Sequence, residues 1–201
     1  MSFTRKSHSG AVVWVLIAGL LFFAVLFVRE GRCNGGERRD TALKGIAKVI
    51  VERRAALTES RAQALARSIY DESAKHGVDY RLILAIVKVE SNFKPDATSK
   101  DGARGLMQIK PSLAKGIAKK TGGSFKGPKD LHEPDRNVKY GTYHVAKLME
   151  DYENVNAALH VYNVGIKGAE KRLSREDEPD TPFINRVLKE YYKYSAILPE
   201  P

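Results

Sequence analysis

"DYRLILAIVKVESNF", residues 79–93, ends an aliphatic run on a carboxylate. Leu82, Ile83, Ile86, Val87 and Glu90 follow a 3.6-residue period, which predicts a helix carrying Glu90 on the same face as Ile83 and Ile86. Asp79 is placed to cap its start. Pro95 and the turn-rich run "KPDATSKDGARG" (94–105) stop it, so Glu90 falls in the last turn. Burial and the negative end of the helix dipole both disfavour a charged carboxylate there. Both raise its pKa, which suits a general acid working near neutral pH. The competing reading is a glutamate whose tip reaches water at a helix end.

Upstream, "SRAQ" at Ser60–Gln63 reads as a capping box opening a helix that runs to about Lys75 and ends at Gly77. Residues 41–57 carry Leu43, Ile46, Val49 or Ile50 and Val51 among charges, either a stalk or the first helix of the domain. Downstream, "SLAKGIAKKTGG" predicts a short helix ended by Gly122 and Gly123. "NVKYGTYHVAKLMEDY" predicts a longer one, and "NVNAALHVYNVG" another that stops at Gly165. A charged loop, "KRLSREDEPD", precedes the last helix, "PFINRVLKEYYKY", with Pro182 in its first turn. The pattern holds no long strand, internal repeat or low-complexity tract. The expected class is mainly α.

The N-terminus sets the domain plan. Residues 11–28, "AVVWVLIAGLLFFAVLFV", are uncharged and apolar on every face. At about 1.5 Å per residue they approach the roughly 30 Å of a bilayer core. "REGRC" offers no A-x-A-like cleavage site and no small-residue box for lipidation of Cys33, so an uncleaved single transmembrane helix is expected rather than a signal peptide. Arg5 and Lys6 before the stretch are opposed by Arg29, Arg32, Arg38 and Arg39 after it, which leaves the positive-inside signal weak. The expected plan is 1–28 tail and anchor, 29–57 linker or stalk, and 58–201 the folded domain.

Several chemistries are excluded early. The five histidines show no HExxH spacing, and the single cysteine has no partner for zinc or a disulfide. His132, His144 and His160 read as surface or packing residues. No glycine cluster matches a Walker loop or a dinucleotide fingerprint. No metal and no cofactor are expected. The formal net charge of +10 favours an anionic partner, although a solvated basic surface accounts for it equally well on charge alone.

Residues 90–111, "ESNFKPDATSKDGARGLMQIKP", carry the decisive constellation. Glu90, Ser91, Phe93, Pro95, Ala97, Ser99, Gly102, Ala103, the run Gly105-Leu106-Met107-Gln108 and Pro111 closely resemble the catalytic segment of the soluble-lytic-transglycosylase family. These are lysozyme-like enzymes that cleave bacterial peptidoglycan. "DLHEPDRNVKYG" and "ALHVYNVG" extend the resemblance through Asp130, Leu131, Pro134, Asn137, Gly141, Tyr162, Asn163 and Gly165. Val161, Phe183 and Ile184 depart from the usual residues. The resemblance covers about residues 65–194 and implies a lysozyme-like transglycosylase domain.

Carried over by position, it implies Glu90 as the catalytic acid/base and Ser99 as its polar neighbour. Met107 and Gln108 would line the saccharide groove, and Tyr162 would hydrogen-bond at the reacting centre with Asn163 beside it. The family is described as using one glutamate, and Asp96 and Asp101 read as solvated loop acids. Glu90 would then protonate the glycosidic oxygen between N-acetylmuramic acid and N-acetylglucosamine, aided by the substrate's N-acetyl group. It would next deprotonate the muramyl 6-hydroxyl, leaving a 1,6-anhydro end. The implied partners are peptidoglycan glycan strands, whose peptides carry carboxylates, rather than nucleic acid. The inner membrane through residues 11–28 and an envelope-spanning machinery are the others, with the catalytic domain in the periplasm. A hydrolytic lysozyme of the same fold and a non-catalytic glycan-binding scaffold are the rivals.

Overall fold

The computed structural model describes residues 35–54, 57–152, 154–173 and 179–201. The expected membrane stretch, 11–28, lies outside them. Among the described residues, no helix is long and apolar enough to cross a membrane. The chain divides into two compact units, Met1–Thr41 and Ala42–Pro201. Of the first, residues 35–41 are helical, with the Thr41 hydroxyl donating to the Glu37 carbonyl at 2.9 Å.

The second unit opens with helix α1 (42–53), followed by α2 (Glu59–His76) and α3 (Tyr80–Ser91). A loop leads to α4 (Pro111–Thr121), a 3-10 turn at Pro128–His132 and α5 (Pro134–Asp151). The unit closes with α6 (Val155–Val164), α7 (Ile166–Leu173) and α8 (Pro182–Ser195). The mainly α expectation holds. Isolated bridges pair Arg104 with Thr98 and with Ile109, the only extended pairing among the described residues.

Helix α3 is the centre. Every residue from Tyr80 to Val87 is buried, the charged Arg81 included, so this part of the helix is enclosed on its whole circumference rather than on the single face its period marks. It packs against α2 and α8, α2 packs against α5, and α5 against α6. Asp79 starts α3 by accepting the Arg81 backbone N–H at 2.8 Å, grips the Arg81 guanidinium at 2.7–3.0 Å and accepts the Tyr191 hydroxyl of α8 at 3.0 Å. One carboxylate thus caps a helix and ties it to its neighbour.

Three boundaries differ from the sequence reading. Helix α2 begins one residue earlier than the Ser60 box, at Glu59, and Thr58 supplies its cap through Arg61 N–H. The polar Ser60 side chain is exposed, while Thr58 stands one turn ahead of the first buried residue, Ala62. The pattern at 41–57 belongs, from Ala42, to the folded body and not to a stalk, because Ile46 and Ile50 are wholly buried in the common core. The loop expected from Lys171 onward is helical through Leu173, where α7 ends.

Candidate active site

Helix α3 ends in a way that aims Glu90. Asn92 closes it in the left-handed conformation (φ 50°), and Phe93 follows with φ 61°. Two consecutive left-handed non-glycine residues cost on the order of 1–3 kcal/mol each. Phe93 is wholly buried, and that anchor holds the turn. The chain is thereby thrown sharply away from α3 immediately after Glu90.

The loop that follows folds back on itself. Ser99 and Ala103 exchange a backbone hydrogen bond of 2.9 Å and a 3.1 Å bond from Ala103 N–H to the Ser99 hydroxyl. Arg104 and Ile109 exchange two backbone bonds of 3.0 Å. Asn137, fully buried on α5, clamps the hairpin. Its amide donates to the Arg104 and Leu131 carbonyls at 2.8 Å, and its oxygen accepts from Met107 N–H at 2.7 Å. Gly105 is required: φ is 76°, and a Cβ there would meet the Leu131 carbonyl oxygen at 2.0 Å. Gly141 is required for a different reason, since a Cβ would meet the Met107 sulfur at 2.2 Å. His132 completes the brace, with Nδ1 against the Pro95 carbonyl and Nε2 against the Arg104 guanidinium, both at 3.2 Å.

Between this hairpin and α6 lies a cleft of ≈ 530 Å³. Glu90 lies in it, with Ser99, Asp101 and Gln108 from the loop and Lys110 from the start of α4. Across from them stand His144 of α5, Tyr162 and Asn163 of α6, and Ile166 and Lys167 of α7. Glu90, Ser99, Gln108, Tyr162 and Asn163 therefore share one cavity. Met107 does not: its side chain is wholly buried against Gly141, beneath the cleft rather than along it. Its contribution is its carbonyl, which accepts the Tyr162 hydroxyl at 2.6 Å. Gln108, at φ 48°, turns its amide back to the Gly105 carbonyl at 2.9 Å.

The electrostatics follow the burial. Desolvation raises the Glu90 pKa from 4.5 to about 7, against a smaller opposing pull from Arg186. Burial, reinforced by the Glu90 charge, pushes the Tyr162 phenol well above its ordinary range. The Tyr162 ring lies 5.6 Å from the His144 ring and 6.3 Å from Phe183, nearly parallel to the latter. His144 is held down to about 4 by burial and is neutral at physiological pH. This arrangement provides a carboxyl group that both gives and takes a proton near neutrality. It sits beside a tyrosine that cannot ionise and a neutral imidazole. Among the described residues, no group of three or more acidic, histidine or cysteine side chains could hold a metal.

The Transglycosylase SLT domain model matches residues 67–183, more than half of the chain. The protein belongs to the SLT transglycosylase family. The membrane-bound lytic murein transglycosylase C of Photorhabdus laumondii is 28% identical over 77% of this chain and 46% of its own length. The membrane-bound lytic murein transglycosylase E of Buchnera aphidicola is 31% identical over 59% of this chain and 58% of its own. The chain thus spans about half the length of these relatives. The lytic transglycosylase Slt of Pseudomonas aeruginosa superposes on 64% of this chain and 23% of its own, with a TM-score of 0.58 and 26% identity. The 70-kDa soluble lytic transglycosylase of Escherichia coli shares the fold over 79% of this chain and 30% of its own, at a TM-score of 0.59 and 20% identity. The family match spans the whole cleft, from α2 to the start of α8.

Sequence reasoning missed His144, Lys110 and Lys167, and it set Asp101 aside as a loop acid. His144 had a signal: it lies one turn after Tyr140 and Gly141, on a helix whose buried face was legible. The two lysines had none, because only the fold brings the loop, α6 and α7 to the walls of one cleft.

Proposed function

We propose that the protein is a peptidoglycan lytic transglycosylase that uses Glu90 as its single acid/base. The observation that carries this reading is the carboxyl of Glu90, raised to about 7 in the cleft of an SLT-family fold. Protonated Glu90 donates to the glycosidic oxygen between N-acetylmuramic acid and N-acetylglucosamine as that bond breaks. The substrate's N-acetyl group stabilises the developing positive charge at C1. The Glu90 carboxylate then accepts the proton of the muramyl 6-hydroxyl, whose oxygen closes on C1 to give a 1,6-anhydro end. A nucleophile in the same ring needs no water and benefits from proximity worth up to about 7–11 kcal/mol.

Tyr162 fits this sequence in a defined way. Its proton is committed to the Met107 carbonyl, so toward the cleft its oxygen offers lone pairs. It can accept a hydrogen bond from the Glu90 carboxylic acid or from the sugar hydroxyl, holding either in line. Ser99 and Asn163 supply further polar contacts along the same walls. Residues 11–28 anchor the chain in the inner membrane, with the body in the periplasm, a reading supported by their apolar length and by membrane-bound relatives.

One observation favours a second reading. Asp101 lies on the cleft wall, and a second carboxylate is what a hydrolase of this fold would use to activate water. Mass spectrometry of digested peptidoglycan separates the two, because anhydro products are lighter than hydrolysed ones by one water. Products carrying reducing ends alone would overturn the transglycosylase assignment in favour of Asp101-assisted hydrolysis.

A further inference from the structure

We propose that His144 is a sugar-binding residue of the cleft, its imidazole hydrogen-bonding a hydroxyl or acetamido group of the bound hexosamine. The inference rests on the glycan reading above and names a contact within it.

His144 stands on α5, two residues after the buried Thr142 and one before the buried Val145, and is itself half-buried. What remains open faces the cleft that holds Glu90 and Tyr162. The Tyr162 ring lies 5.6 Å away, tilted by 33° to the imidazole. Neither ring nitrogen makes a hydrogen bond to another described residue, in contrast to His132, which uses both. Open to the cleft, these nitrogens are available to a bound group that offers both a donor and an acceptor. Burial keeps the ring neutral, so it offers one N–H donor and one acceptor. That pair matches a sugar hydroxyl or an acetamido group, each of which also donates and accepts. It does not match a carboxylate, for which a charged side chain would serve. Lys110 and Lys167 line the same cleft and already offer that chemistry.

The ring also packs against Tyr162, so packing and hydrogen bonding have to be separated. His144→Phe keeps an aromatic ring against Tyr162 and removes both nitrogens; His144→Gln removes the ring and keeps a donor and an acceptor. On solubilised peptidoglycan strands, His144→Phe is expected to raise KM about tenfold with kcat within threefold, the scale of one lost hydrogen bond. His144→Gln is expected to stay within threefold of the native KM. Independently, full-length Glu90→Gln protein uniformly labelled with 15N is titrated with chitotetraose. The His144 ring signals, identified by their loss in the His144→Gln background, should move while those of His132 stay. Unmoved His144 signals with shifting Gln108 and Asn163 amides would overturn the inference and leave the glycan reading standing. So would a native KM in His144→Phe, or a loss confined to kcat, which would make the ring packing only. If chitotetraose moves no cleft signal and the native protein leaves peptidoglycan uncut, the glycan reading falls and this inference with it.

Discussion

At Glu90 the enclosing helices and loop act against one cation, Arg186. Desolvation outweighs the pull of Arg186, and the carboxyl remains protonated to about pH 7. If the protonated acid starts the reaction, kcat/KM should fall as pH rises through about 7. Glu90→Gln cannot donate the proton, and its activity should drop by about 10²-fold or more at every pH. The stability sign follows from linkage. A carboxyl whose folded pKa is raised binds more protons in the folded state, so its ionisation penalises the fold increasingly from about pH 4.5 and fully above about 7. Glu90→Gln removes that penalty. Chemical denaturation at pH 8 should find the variant more stable relative to native protein than at pH 4, by about 1–2 kcal/mol once solvent contact is discounted. An unchanged difference between the two pH values would mean that Glu90 is solvated. At Tyr162 the lost group is a hydroxyl. Tyr162→Phe leaves the Met107 carbonyl without its donor, so it should cost about 1 kcal/mol of stability and at least tenfold in rate. A rate loss without a melting shift would place the tyrosine's whole effect in the cleft.

The helices and the cleft loop differ in how far their sequence fixes them. Helix α3, its Asp79 cap and its stop before Pro95 were legible because an aliphatic period, a cap and a breaker are local signals. Gly77, Gly122 and Gly165 ended their helices for the same reason. The hairpin of 94–110 was legible only as a turn-rich run, since its geometry comes from Asn137, about thirty residues away in sequence. The displacement of Met107 from the groove follows directly. A methionine beside Gln108 reads as a groove residue until Gly141 opens a slot that takes its side chain into the core. Asn137→Ala tests this dependence. It strands the Met107 N–H and the Arg104 and Leu131 carbonyls, so stability should fall by about 3 kcal/mol or more. Activity should fall with it even at temperatures where the variant is folded, because Gln108 and the Met107 carbonyl are no longer fixed. Near-native kcat in the folded variant would show that the hairpin holds its shape without the clamp.

On the scale of the whole chain, the decisive boundary lies at Ala42, not at 58. Sequence pattern alone could not choose between a stalk and a first helix for 41–57, because an amphipathic stripe does not say what it faces. Ile46 and Ile50 face the common core. Burying two isoleucines contributes about 3–6 kcal/mol, a large part of the roughly 5–15 kcal/mol that keeps a domain folded. A chain beginning at Ala42 should therefore fold and cleave isolated peptidoglycan, whereas one beginning at Thr58 should be unstable or aggregate through the exposed α1 site. Equal melting temperatures for the two would show α1 to be dispensable. The same boundary sharpens the expectation for residues 11–28. If they anchor the protein, the stretch between them and Ala42, rather than one running to residue 57, is the linker. Full-length protein should then resist high-salt and carbonate washes of the membrane fraction with its N-terminus intact, and the chain from Ala42 should be soluble. Recovery of native protein only as a soluble, N-terminally trimmed periplasmic species would make 11–28 a cleaved signal, overturning the anchor while leaving the glycan-cleaving assignment in place.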